Sequence, residues 1–114
     1  MNVVVNDLAK QSIIDINYYN YQYSLRNAIE TNRNILFRIH DLEDSPYIGR
    51  YIPEMSDKRF REIIYKSSRH SGYRIMYYIS ENTDTIYIFN ILNSKQDFNR
   101  ILKLHNYFNN YFNF

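Results

Sequence analysis

Between Leu25 and Leu42 apolar residues return at spacings of three and four. Leu25, Ala28, Ile35, Ile39 and Leu42 form the row with Asn32 among them, and Ile29 and Leu36 widen it. Arg26, Glu30, Arg33, Arg38 and Asp41 occupy the other side, so the segment has the period of an amphipathic helix. Glu43-Asp44-Ser45-Pro46 ends it, because proline disfavours a helical residue before it. Beyond Pro46 the apolar residues gather into three runs, 60–66, 73–79 and 86–92, rich in the Ile, Tyr and Phe that suit a pleated surface. A chain that changes period in this way is expected to lay helices on a sheet, since the helix stripe and one strand face each need an apolar partner.

The neighbouring segments extend that plan. Residues 2–5 (NVVV) read as a short first strand, and Asn6 or Asp7 is placed to cap a helix running to about Tyr19. The short link 20–24 makes this helix and the next an antiparallel hairpin. Residues 47–57 hold a glycine between flanking breakers and read as an ordered loop. Glu81-Asn82-Thr83-Asp84 is a short polar link that dictates an antiparallel strand pair, and 69–72 joins the first two strands more loosely. In 96–112, Phe98, Ile101, Leu102, His105, Phe108 and Phe112 recur at helical spacing. The expected fold is α+β: an N-terminal helical hairpin packed on a small antiparallel sheet of three strands, with a short N-terminal strand and a C-terminal helix. One domain spans residues 1–114, because a chain of 114 residues supports one modest core.

Composition narrows the function classes. Tyrosine, at 13 residues, must fill much of the core while its hydroxyls keep polar partners. With no cysteine there is no disulfide framework, thiolate metal site or thiol nucleophile. The opening MNVVVNDLAKQ lacks the basic start and apolar run of a signal peptide, and no stretch approaches the roughly 18 apolar residues of a membrane span. A soluble cytoplasmic protein is expected, with no membrane partner. The net charge of +2 is uninformative, but its distribution is not. Lys58, Arg59, Arg61, Lys66, Arg69 and Arg74 stand against one acid, Glu62, and such a stripe attracts polyanions or serves as a solvated face.

The stretch PYIGRYIPEMSDKRFREIIYKSSRHSGYRIMYYISENTDTIYIFNILNSKQDF resembles the signature half of the RelE/ParE toxin superfamily. The matching pieces are Gly49-Arg50 followed by Ile52-Pro53-Glu54, Arg61-Glu62 opening a strand, Tyr73-Arg74-Ile75-Met76-Tyr77, the strand at 86–92, and Ser94-Lys95-Gln96-Asp97. A helix hairpin upstream is also what the family places there, and the resemblance covers about residues 7–104. It implies the toxin of a bacterial type II toxin–antitoxin pair, held inactive by a cognate antitoxin in a toxin–antitoxin hetero-oligomer and associated with plasmid stabilisation and growth inhibition. It also implies a three-stranded meander backed by the helical pair, with Arg74 on the concave side. Members of the RelE type cut messenger RNA on the ribosome, those of the ParE type poison DNA gyrase, and a degenerate member would only bind its partner. Fold alone does not choose among these.

RNA cleavage by a 2′-hydroxyl needs a base, stabilisation of the phosphorane-like charge, and a proton for the leaving oxygen. The resemblance places Arg74 on the active-site arginine that faces the phosphate and Lys95 near a second basic position after the last strand. His70 is a candidate base in the loop near Arg74; these three are catalytic only in the RelE type. Asn93 stands where many ribonuclease members carry histidine, and an amide takes up no proton at neutral pH. Tyr65 and Ser67 occupy the positions of two RelE-type lysines, which leaves Lys66 expected on the opposite face of the strand. Arg61, Lys66 and Arg69 are candidates for polyanion or partner binding. Tyr77 is a candidate stacking surface if it faces outward, its neighbour Tyr78 then facing inward. Phe108 and Phe112 belong to an aromatic tail that fills the core or meets antitoxin or target. Arg61 and Arg74 also admit a plainer role, pairing with an acid such as Glu62 or Glu54 at the border of the core. His40 and His105 read as core-edge or surface residues. No cofactor and no metal is expected, because three scattered histidines offer no ligand spacing. The thinned ribonuclease set tilts the reading toward the ParE type, with DNA gyrase rather than ribosome and mRNA as target.

Overall fold

The computed structural model describes residues 1–68 and 71–94. The helix expected over 96–112 lies outside the described residues. The elements run β1 (Asn2–Val5), α1 (Asp7–Tyr23), α2 (Leu25–Asp41), β2 (Arg50–Tyr51), β3 (Phe60–Ser68), β4 (Ser71–Ser80) and β5 (Thr85–Asn93). Two helices therefore lie against one sheet, an α+β arrangement as the change of period requires.

The helical hairpin turns on a single residue instead of the five-residue link read from sequence. Ser24 has an extended backbone, φ −162° and ψ 117°, and its N–H still reaches the carbonyl of Asn20, closing α1. Its Oγ accepts from the N–H of Asn27 at 3.2 Å, so the same residue caps α2. The extra turn of α1 is held by tertiary contact: Asn20 is buried and donates through Nδ2 to the Tyr73 hydroxyl at 3.3 Å. Asn6 occupies the N-cap of α1 as expected, but its side chain makes no capping bond.

The sheet has five strands in the order β1-β5-β4-β3-β2. It is mixed, not purely antiparallel, because β1 pairs parallel to β5 with Val3 opposite Ile86 and Val5 opposite Ile88. Parallel neighbours need a long crossover, and the whole helical hairpin with β2–β4 lies between these two strands in sequence. Inside the loop read over 47–57, Arg50 and Tyr51 pair with Glu62 and Arg61 as a two-residue edge strand. A run that short carries no periodicity to reveal it.

Alternation sorts the two sheet faces. Tyr73, Ile75, Tyr77 and Ile79 of β4 join Ile35, Ile39 and Leu42 of the α2 region and Ala9 of α1 in the main core. The opposite face carries a second apolar cluster of Ile52, Met55, Phe60, Met76, Phe89 and Leu92. An irregularity in β5 makes this double use possible. Met76 pairs with Asn90 and Tyr77 with Ile88, so Phe89 is an extra residue at a bulge. Without it, the alternation of Ile86 and Ile88 would send Leu92 toward the helices; with it, Ile91 takes that face and Leu92 the other.

The helix stripe is narrower than its sequence suggests. Ala28, Thr31, Ile35 and Ile39 are buried along α2, whereas Leu25, Ile29, Leu36 and Phe37 are exposed. Among the described residues no helix is long and apolar enough to cross a membrane.

Candidate functional site

The sheet face turned away from the helices carries a network of four charges. Register places Ile64 opposite Arg74 and Met76 opposite Glu62, so Glu62, Arg74 and Lys66 share this face. Glu62 has no exposed surface, which makes its carboxylate costly unless every oxygen is matched. Arg74 Nε donates to Glu62 Oε1 at 2.8 Å, while Arg50 donates to Glu62 Oε2 through Nε at 2.9 Å. Arg74 then turns both Nη atoms onto the two oxygens of Glu54, each at 2.6 Å. That fork on a carboxylate is the strongest arrangement available to an arginine. The Arg74 side chain keeps only 11% of its surface, against 59% for Arg50.

The chemistry of Arg74 follows from its partners. The hydrogen bonds from Arg74 hold the Glu54 carboxyl below its ordinary range, and those to Glu54 and Glu62 raise the guanidinium further above its own. Its Nε and both Nη atoms are committed to the chain's own carboxylates. A phosphate would have to displace Glu54 to reach it. The plainer sequence reading, an arginine paired with Glu54 and Glu62, is the geometry present.

The second anchor of the loop is Tyr77, fully buried on the helix side of the sheet. Its hydroxyl donates to the Pro46 carbonyl and accepts from the Gly49 N–H, both at 2.9 Å. Burial pushes this phenol up from its ordinary value. Gly49 is required there by close approach: a Cβ would stand 2.5 Å from the Tyr77 hydroxyl and 2.7 Å from the Glu62 carbonyl. The Gly49-Arg50…Glu54 motif is thus a loop tied down from both sides, by Tyr77 beneath and by Arg74 and Glu62 above.

The remaining candidates separate. Tyr77 lies in the core and offers no ring for stacking, and its neighbour Tyr78 is half-buried on the other face beside Phe60, ring centroids 5.4 Å apart. The inward member of the pair is therefore Tyr77. Lys66 is exposed and pairs with Gly72, on the face opposite Tyr65 as expected, which is the face that carries Arg74; Tyr65 turns to the helices, where its hydroxyl accepts from Asn34 Nδ2 at 3.0 Å. Arg61 meets no carboxylate among the described residues. Its Nη1 donates to the carbonyls of Gly49 at 2.8 Å and Tyr47 at 3.3 Å. Arg69, His70, Lys95, Phe108 and Phe112 lie outside the described residues, as does His105. Arg50 was not singled out by sequence, although its place in the Gly49-Arg50 motif was the available signal; its pairing with Glu62 needs the β2–β3 register.

Residues 3–98 match the family model described as the ParE toxin of type II toxin–antitoxin system, parDE. No curated protein matches the chain.

Proposed function

The chain belongs to the ParE toxin family, which makes it the toxin of a type II pair with a cognate antitoxin as its partner, and we propose that its target is DNA gyrase. The observation that carries this reading is the engagement of Arg74 by Glu54 and Glu62. The arginine that a ribonuclease of this fold would aim at a phosphate here ties a loop to the sheet. Asn93, at the end of β5, supplies no proton acceptor in place of a histidine. With those services withdrawn, function passes from proton transfer to recognition by a rigid surface. The purified protein is expected to lower supercoiling by purified gyrase in proportion to its concentration. Unchanged supercoiling at large molar excess rejects this target.

One placement favours a second reading. Lys66 is exposed on the sheet face that carries Arg74, and a phosphate of an RNA backbone drawn there by Lys66 would compete with Glu54 for Arg74. In that case induction produces new 5′ ends on translated messages, mapped by primer extension, and Arg74→Ala abolishes them. Their absence leaves the nuclease reading without support.

A further inference from the structure

At the β4–β5 turn end of the sheet lies an open cleft of about 440 Å³, lined by Tyr47, Lys58, Arg59, Arg61, Tyr78 and the 79–82 segment. The cations around it are not equivalent. Arg59 is turned onto Asp57, with its Nε 2.9 Å from Oδ1. Lys58 and Arg61 meet no carboxylate among the described residues, although Glu81 lines the same cleft. Glu81 instead accepts from the Tyr47 hydroxyl at 2.5 Å, which fixes that ring at the cleft.

Arg61 also has a fixed plane. Its Nη1 is spent on the two loop carbonyls, and its guanidinium carbon lies 5.3 Å from the centroid of Tyr47 and 4.5 Å from that of Tyr51. Both rings are about half exposed, at 51% and 49%. A guanidinium held against aromatic rings keeps its outer N–H groups directed outward at little entropic cost. The result is an exposed ring, a pre-set guanidinium and an exposed lysine around a space larger than one carboxylate.

We propose that this cleft binds one nucleotide unit of a DNA strand, with the phosphate on Lys58 and Arg61 and the base against Tyr47. Aromatic platforms beside cations are the chemistry by which unpaired nucleic acid is held without reading its sequence. A compact anion would use the cations and leave the rings idle, and an acidic peptide would likewise bring carboxylates but no flat base for Tyr47. The choice of DNA over RNA rests on the gyrase reading; the existence of the cleft does not.

The test is fluorescence anisotropy of the full chain with a labelled single-stranded DNA 12-mer, without gyrase. Lys58→Glu and Tyr47→Ala are each expected to weaken binding about five- to tenfold, and Lys58→Gln to lower the salt slope by about one. Lys58 is exposed, so its variants are expected to retain the far-UV circular dichroism of the parent. Lys10→Glu, on the exposed side of α1, is the matched charge control and binds as the parent does. Equal affinity of parent and Lys58→Glu overturns the proposal. So does preferential occupancy by an RNA 12-mer, by ADP or by a polyglutamate peptide. Because gyrase is absent, a failed supercoiling assay and a failed DNA titration are separate results.

Discussion

Replacing Arg74 by alanine tests whether this side chain holds the fold or waits for a phosphate. The substitution leaves Glu62, which has no exposed surface, with Arg50 as its only cationic partner among the described residues, and leaves Glu54 to rehydrate from a side chain already 17% exposed. Breaking a buried pair from one side costs about 3–5 kcal/mol when the survivor is stranded. Arg50 still bonds Glu62 Oε2 at 2.9 Å, so the survivor here is only half stranded and the expected loss is about 2–4 kcal/mol. In a domain of this size that lowers the melting midpoint by about 8–20 °C. Urea unfolding followed by circular dichroism measures the loss, and an unchanged slope shows that the native state is otherwise the same. Glu62→Gln and the double variant complete the cycle. Because the two groups touch, the double variant should be less destabilised than the sum of the singles by more than about 1 kcal/mol. An Arg74→Ala protein within about 0.5 kcal/mol of the parent, or strictly additive changes, would refute the structural role and return the guanidinium to the solvent.

Four other outcomes check neighbouring parts of the structure. Tyr77→Phe leaves the Pro46 carbonyl and the Gly49 N–H without their shared hydroxyl, an expected cost of about 1–3 kcal/mol in urea unfolding. Gly49→Ala forces a methyl against the same hydroxyl and is expected to cost at least as much, with partial relief in the Tyr77→Phe background. The Glu54 carboxyl is held below its ordinary value of 4.5, so its contribution is fully present above that pH and is lost as acid takes the solution down through the folded-state value. A Glu54→Gln variant should therefore show a flatter stability curve below pH 4.5 than the parent, and superimposable curves would contradict the assigned cause. Ser24→Ala removes the acceptor for Asn27 N–H and should cost about 1 kcal/mol in thermal unfolding.

The two periods in the sequence determined the two kinds of layer. Three- and four-residue spacing over 25–42 produces α2, and the β-branched and aromatic runs produce β3, β4 and β5, because each preference acts over a few bonds and needs no distant partner. The motif residues that carry the resemblance were likewise legible, since Gly49, Arg50 and Glu54 keep their order whatever they touch. What tertiary structure decided is which parity of each strand is covered and by what. Alternation separates Tyr65 from Lys66 without saying which faces the helices, and only the pairing of Ile64 with Arg74 puts Lys66 beside that arginine. The parallel seat of β1 on β5 joins residues 83 apart in sequence, Val3 and Ile86, and the bulge at Phe89 is set by pairings 11 and 14 residues apart, Tyr77 with Ile88 and Met76 with Asn90, distances that no local preference spans. The partner of Arg74 belongs to this second class. A charge in the sequence attracts any opposite charge, and only the folded loop brings Glu54 and Glu62 to the three nitrogens that bind them.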